Sequence, residues 1–312
     1  MEYGQLGRTG MRVSRLSLGT VSLGVEYGIP VPGEYGRPSE EKALLLLRRA
    51  AEHGVNLFDT APGYGESERL LGSFLRSNPG CHVATKVPVP KDATGGVLRE
   101  ISLRRAVRES LEGSLRALRR DALDLVQIHN ATVEVVREGE IAGALLAAKR
   151  EGKVRFLGAS VYTEEEALAV IDAGCFDVIQ VAYNLLDQRM AERVFPASGR
   201  SGVGIIVRSA LLKGALTGKG EWLPSGMAPL RLAAERAKDA LGGTWGSLEK
   251  AALRFCLSSP FVSTVLTGAR TVEELEQSLA AAAAGPLPAE LLALAPGFAL
   301  DDDRLLNPSR WS

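Results

Sequence analysis

Two periodicities alternate along most of this chain. Short aliphatic runs such as Leu123-Asp124-Leu125-Val126-Gln127-Ile128 and Val203-Gly204-Ile205-Ile206-Val207 have the length and composition of strands in a parallel sheet covered by helices. Between such runs the apolar positions fall at helical spacing. Leu103, Val107, Leu111, Leu115 and Leu118 recur every four and then three residues, which makes one apolar stripe. Thr163 followed by Glu164-Glu165-Glu166 reads as an N-cap with acids in the first helical turn.

Strands are expected to end near Gly19, Asp59, Lys86, His129, Ser160, Ala182, Arg208 and Leu266, each followed by a helical stretch. Eight strand-then-helix units with short links predict a closed (β/α)8 barrel of the TIM type rather than an open sheet. The absence of a G-x-G-x-x-G run between the first strand and first helix weakens the doubly wound dinucleotide alternative. Gly7-Arg8-Thr9-Gly10 lies between two short apolar segments and predicts an N-terminal hairpin ahead of the barrel. No domain linker or low-complexity tail is evident, so residues 1–312 are expected to form a single domain. Two longer loops break the pattern, Val25 to Pro38 and Lys219 to Leu230, the second containing Trp222. Both follow strands on the face where barrel enzymes carry lids and specificity loops.

Composition narrows the partners. Lys plus Arg and Asp plus Glu are both 37, so the formal charge is zero, which argues against general affinity for nucleic acid or anionic membranes while allowing a local phosphate pocket. Cys81, Cys175 and Cys256 are scattered and form no C-x-x-C pair, which fits a reducing cytoplasm better than a disulfide framework or zinc site. The N-terminus has no signal-peptide pattern, and no apolar run approaches the roughly 20 residues of a membrane helix. A cytoplasmic monomer or weak homo-oligomer is expected.

In such a barrel, chemistry sits at the C-terminal ends of the strands. Asp59, Lys86 and His129 end neighbouring strands, and Tyr64 lies in the loop just after Asp59. Each has an ordinary reading: a helix cap or ion-pair partner, a structural lysine, a hydrogen-bonded core histidine, a loop anchor. Four of them converging on one mouth are harder to explain that way.

These residues stand in an order that resembles the aldo-keto reductases. The resemblance is carried by Leu6-Gly7-Arg8-Thr9-Gly10, Leu18-Gly19-Thr20, Phe58-Asp59-Thr60-Ala61 with Tyr64-Gly65 and Glu68, and Thr85-Lys86. It continues through Asp124 to His129, Gly158-Ala159-Ser160, Gln180 to Asn184 and Leu212 to Lys219, and so covers nearly the whole chain. It implies a catalytic tetrad of Asp59, Tyr64, Lys86 and His129. The chemistry is coherent. A carbonyl oxygen that becomes negative as hydride arrives needs a proton donor. A phenol is a weak acid near neutral pH unless an ammonium stabilises its phenolate, the role assigned to Lys86. Asp59 would keep that lysine charged, and His129 would hold the carbonyl oxygen. No metal is required.

The resemblance also implies a nicotinamide cofactor. Gly19 and Thr20 would line the nicotinamide, with Asp59 at the same end. Ser160 and Gln180 would bind its carboxamide, though Val161 replaces the Asn often found after that Ser. Arg208 stands where many members stack an aromatic ring, and a guanidinium can also stack. Ser209, Leu211 and Gly214 would wrap the pyrophosphate. Gly268, Arg270, Gln277 and Ser278 would hold the adenosine phosphate at a helix start, with Glu274 and Ser278 departing from the usual residues. Arg270 facing a 2′-phosphate and Glu274 pointing along the helix into solvent favour NADP(H), with some NAD(H) use. Small or hydroxylated carbonyls such as aldehydes, ketones and sugars are the expected substrates. Two alternatives remain open: a Schiff-base aldolase on Lys86, and a nucleotide-binding regulatory subunit without turnover.

Overall fold

The computed structural model describes residues 1–33 and 36–311. Tyr3–Gln5 (β1) and Arg12–Ser14 (β2) pair antiparallel in the register Tyr3 with Ser14 and Gln5 with Arg12, joined by a single turn of 3-10 helix over Gly7–Thr9. Eight parallel strands follow: β3 (Leu16–Gly19), β4 (Leu57–Asp59), β5 (His82–Pro88), β6 (Leu123–His129), β7 (Val154–Ser160), β8 (Val178–Ala182), β9 (Gly204–Arg208) and β10 (Val262–Gly268). Each pairs with the next in sequence, and β10 returns to β3, so the sheet closes into a barrel without edges.

Six of the eight expected strand ends coincide with the observed ones. Two run further: β5 continues from Lys86 to Pro88, and β10 from Leu266 to Gly268. In both cases the parallel ladder persists past the expected stop, Pro88 pairing with His129 and Gly268 with Gly19. The Thr163 cap is present as a full capping box, its hydroxyl accepting from Glu166 N while the Glu166 carboxylate accepts from Thr163 N. In the helix Glu100–Leu118 the stripe residues Leu103, Val107, Leu111 and Leu118 are buried, whereas Leu115 is only half-buried and Ser114 beside it is buried. The expected loop from Lys219 to Leu230 contains 3-10 turns over Gly218–Trp222 and Ser225–Met227, and its end belongs to the helix Ala228–Ala240. In the Val25 to Pro38 loop, Glu34 and Tyr35 lie outside the described residues. Among the described residues no helix is long and apolar enough to cross a membrane.

The barrel interior is layered. Leu57, Ala84, Leu125, Val178, Ile206 and Leu266 form one apolar cluster with Leu6, Met11 and Val13 of the hairpin, which plugs the bottom of the barrel. Fully burying such a side chain contributes roughly 1.5–3 kcal/mol. Successive residues of a strand point to opposite faces, so the residues two further along share the interior face. At that next level stand Asp59, Lys86, Gln127, Gln180 and Arg208. The interior therefore turns from apolar to polar within one step along the strands, and the functional site begins there.

The plug depends on one close approach. Gly7 has φ +52°, and a Cβ on it would lie 2.2 Å from Gly204 N at the start of β9. Gly10, at the other end of the turn, has φ +70° but open space around its Cβ position. Gly10→Ala should cost about 1–2 kcal/mol for the left-handed backbone alone. Gly7→Ala should cost about 1–3 kcal/mol more, because backbone must shift. Urea melts of both variants check this; equal losses would show that the hairpin does not pack tightly on β9.

Candidate active site

The polar layer is organised around the Asp59 carboxylate. Lys86 Nζ donates to Asp59 Oδ1 at 2.6 Å and to Thr60 O at 2.9 Å. Gln180 Nε2 and Gln127 Nε2 donate to Asp59 Oδ2 at 2.8 and 3.2 Å. Lys86 is 1 % exposed and Asp59 4 %. Burial alone would lower the Lys86 pKa, but the Asp59 carboxylate and the Tyr64 phenol outweigh it and hold the ammonium above its ordinary range.

Tyr64 is placed by its backbone. Asp59 ends β4, and the loop that follows crosses the short helix Val21–Gly24 so closely that a Cβ on Gly24 would sit 1.8 Å from Tyr64 O. The neighbouring Gly65 takes φ +54° at the same crossing. This places the Tyr64 ring with its centroid 5.0 Å from Lys86 Nζ and 6.0 Å from that of His129, edge to face. His129, at the end of β6, is partly buried. Burial and the Lys86 charge pull its pKa down to about 4 against the opposing pull of Asp59, so its imidazole is neutral near pH 7.

These residues stand at the floor of a cavity of about 680 Å³. Of the residues singled out from the sequence, Gly19, Thr20, Asp59, Tyr64, His129, Ser160, Gln180 and Arg208 line one part of it. Ser209, Leu211, Gly214, Gly268, Arg270 and Gln277 also contribute to the wall. Lys86 does not reach the cavity; it lies beneath, held by Asp59. Thr20 lines the wall, but its hydroxyl donates to Asp59 O. Ser278 is a correction. It is 1 % exposed, its Oγ lies 3.0 Å from Thr267 Oγ1 and donates to Glu274 O, so it fastens the helix Val272–Ala283 to β10 instead of facing the cavity.

Glu274 is a second correction. It does not point along the helix into solvent. It lines the cavity, accepts from Lys219 Nζ at 2.5 Å and from Arg270 N at 2.8 Å, and has the Arg270 guanidinium 3.7 Å away. Burial alone would raise its pKa, but the Lys219 and Arg270 contacts hold it below the ordinary carboxylate range. The two cations outcompete solvent for this side chain, a tertiary effect that helical position does not reveal. Glu249 also lines the cavity, and burial with the nearby Glu274 charge raises its pKa.

Several residues of the wall and of the layer beneath it were not singled out from the sequence. Gln127 carried a usable signal, because it stands two residues before His129 and shares its interior face. Lys219 ends a run already noted for its resemblance. Tyr27 and Tyr162 line the cavity with no comparable local signal. Glu68, noted only as part of a run, is buried and accepts from Thr85 Oγ1 at 2.6 Å, which fixes the strand next to Lys86.

The wall suits a nicotinamide dinucleotide. Gly19 and Gly268 form a bare part of it, where an added Cβ would come no nearer than 3.7 and 3.9 Å to its neighbours. Ser160 and Gln180 supply polar groups on adjoining strands, and Arg270 and Lys219 supply cations for phosphate. Among the described residues no group of three or more His, Cys, Asp and Glu is spaced to hold a metal ion.

A closed parallel barrel with its polar layer at the C-terminal strand ends defines the class of protein. The family follows from comparison with known proteins. The sequence model described as the aldo/keto reductase family matches residues 15–294. The chain belongs to this family of oxidoreductases. It is 31 % identical over 296 residues to L-galactose dehydrogenase of Arabidopsis thaliana, covering 90 % of this chain and 88 % of that protein. It is 30 % identical over 227 residues to an NADH-specific methylglyoxal reductase of Escherichia coli, with 68 % of each chain covered. An aldo-keto reductase from Bacillus halodurans, solved in its holo form, superposes with a TM-score of 0.80 at 27 % identity over 99 % of both chains.

The lowered His129 pKa makes a signed prediction. An unfolded histidine takes up its proton near pH 6.5, but His129 in the folded chain does so only near pH 4. Between these values the unfolded state binds more protons, so folding stability falls as pH drops through that window. His129→Gln should lessen this acid loss relative to wild type. Thermal melts at pH 7, 5.5 and 4.5 check it; parallel curves would mean that His129 is not held neutral.

Proposed function

We propose that this protein reduces a small aldehyde, ketone or aldose carbonyl with NAD(P)H, with Tyr64 as the proton donor. The bound cofactor supplies the hydride. The observation that carries the reading is the buried Lys86–Asp59 pair under the Tyr64 ring at the floor of the cavity, with His129 edge-on beside it.

Each residue then has one task. Tyr64 gives its hydroxyl proton to the carbonyl oxygen as that oxygen gains charge. Lys86 stabilises the phenolate left behind, and Asp59 keeps Lys86 an ammonium. Neutral His129 donates an N–H to the same oxygen and holds the carbonyl against Tyr64. Gln180, with its amide N–H groups turned toward Asp59, keeps its carbonyl oxygen for the carboxamide, together with Ser160. Ser209, Leu211 and Gly214 flank the pyrophosphate. A Schiff base on Lys86 is disfavoured, since it needs an accessible neutral amine and this one is buried and charge-paired. The relatives named L-galactose dehydrogenase and methylglyoxal reductase support a small oxygen-rich substrate.

Tyr64→Phe keeps the ring and removes the proton. Turnover with simple aldehydes should fall by about three powers of ten or more, in line with a lost general acid and its oxyanion contact. Cofactor affinity should change little. Stopped-flow hydride transfer and a fluorescence titration measure the two; near-normal turnover would remove Tyr64 from the mechanism.

Cofactor choice rests on Glu274. Lys219 and Arg270 would favour a 2′-phosphate, but both are engaged by this carboxylate, which a phosphate must displace or meet as a like charge. A ribose diol could instead donate to it. We infer that the enzyme uses both NADH and NADPH, with Glu274 holding NADPH back. Glu274→Gln should shift the ratio of dissociation constants toward NADPH by roughly tenfold or more. Titrations of both cofactors decide; an unchanged ratio would assign the choice elsewhere.

A further inference from the structure

The end of β9 carries a cation whose setting is more specific than a wall residue requires. Arg208 Nη2 donates to Val161 O at 2.9 Å and Nη1 to Ser209 Oγ at 3.2 Å. Its guanidinium carbon lies 4.2 Å from the ring centroid of Tyr162. One face of the guanidinium is thus backed by an aromatic ring, and the polar edge is tied to neutral oxygens on two sides. Among the described residues no carboxylate pairs with this guanidinium, and it lines the cavity.

Its neighbours locate what it faces. Ser160, at the end of β7, is paired with Gln180 of β8, and Ala182, at the end of β8, is paired with Arg208, at the end of β9. A ring whose carboxamide reaches Ser160 and Gln180, and whose reactive carbon must approach a carbonyl held by Tyr64 and His129, lies against the end of β9. This rests on the cofactor reading above. The charge balance there is simple. Lys86 and Asp59 cancel each other, and Arg208 contributes a fixed positive charge beside the ring.

We infer that Arg208, propped by Tyr162, makes the site discriminate between the oxidation states of its cofactor, holding the reduced form and repelling the oxidised one. When hydride leaves the dihydronicotinamide for the carbonyl carbon, and the Tyr64 proton goes to the oxygen, the ring becomes a pyridinium cation. A cation a few ångströms from a fixed guanidinium is disfavoured, whereas the neutral, electron-rich dihydropyridine is an acceptable stacking partner. A charged group at a position where an aromatic platform would be neutral thus sets a direction. Oxidised cofactor leaves readily, and reduced cofactor rebinds, which suits turnover as a reductase. Tyr162 is a positioning residue in this scheme, acting through Arg208.

The test reads binding, not activity. Dissociation constants for NADH, NAD+, NADPH and NADP+ are measured by calorimetry on wild type, Arg208→Met, Arg208→Lys and Tyr162→Leu. Wild type should bind each reduced form at least tenfold more tightly than its oxidised partner. Arg208→Met should tighten the oxidised forms by roughly ten- to a hundredfold while moving the reduced forms less than about threefold. Arg208→Lys keeps the charge and should keep most of the discrimination, which guards against a loss caused by altered packing in the Met variant. Tyr162→Leu should give an intermediate ratio, because the guanidinium loses its backing. Equal affinity of wild type for both oxidation states, or the same ratio in Arg208→Met, would overturn the inference while leaving the enzyme assignment intact. Failure of wild type to bind any of the four cofactors would overturn both.

Discussion

The Asp59 carboxylate is the constraint on which the upper half of this barrel depends. Its two oxygens receive Lys86 from β5, Gln127 from β6 and Gln180 from β8, while Asp59 itself ends β4. One side chain therefore braces four strands from inside the barrel. Immediately below lie Leu57, Ala84, Leu125 and Val178, which keep water out and strengthen every interaction in the layer above. The same dry setting makes the arrangement intolerant of loss. Removing one member of a buried ion pair typically costs 3–5 kcal/mol, because its partner is left charged and unpaired.

Stability does not account for such a layer. Replacing a buried ion pair with well-packed aliphatics of similar volume is often neutral or stabilising, and the layer below shows that this barrel accepts aliphatics at the equivalent interior positions. What the polar layer supplies is a fixed ammonium under a phenol. The phenol is positioned by a second device, the backbone crossing at Gly24 and Gly65, which involves no charge. The two devices meet at Tyr64 from different directions. A shift in either would change the 5.0 Å separation between the lysine and the ring, so the distance is determined twice over.

Much of this was legible in the sequence because barrel strands are short and their side chains alternate. The aliphatic runs identified the strands, six of them with the observed end, and four of those ends, Asp59, His129, Ser160 and Arg208, are polar residues at the level where the interior opens. Period two also carried Gln127, which a stricter use of alternation from His129 would have found. Other features are set across the fold, and local pattern is silent about them. Ser278 lies in a helix whose start reads as a phosphate site, but it is a full turn and more past that start, and Thr267 and Glu274 O engage its hydroxyl. Glu274 is turned inward by Lys219, 55 residues earlier in the chain. The stacking of Arg208 on Tyr162 joins residues 46 positions apart, and neither residue type announces the other.

The charges left after pairing divide the cavity into two ends of different electrostatic character. At one end Lys86 and Asp59 cancel and His129 is neutral, so on the proposed reading the reacting atoms would meet hydrogen-bond donors with little net field apart from Arg208. At the other, Lys219 and Arg270 share Glu274, which leaves one net positive charge among the three, with Glu249 close by and biased by burial toward its neutral form. A surplus of one cation suits a pyrophosphate diester better than it suits an additional phosphate dianion, which would also have to dislodge Glu274. On the proposed cofactor reading, selectivity would be a competition between an internal carboxylate and an external phosphate for the same two cations. Its outcome depends on the desolvation and geometry of Glu274, so counting basic residues in the sequence cannot settle it.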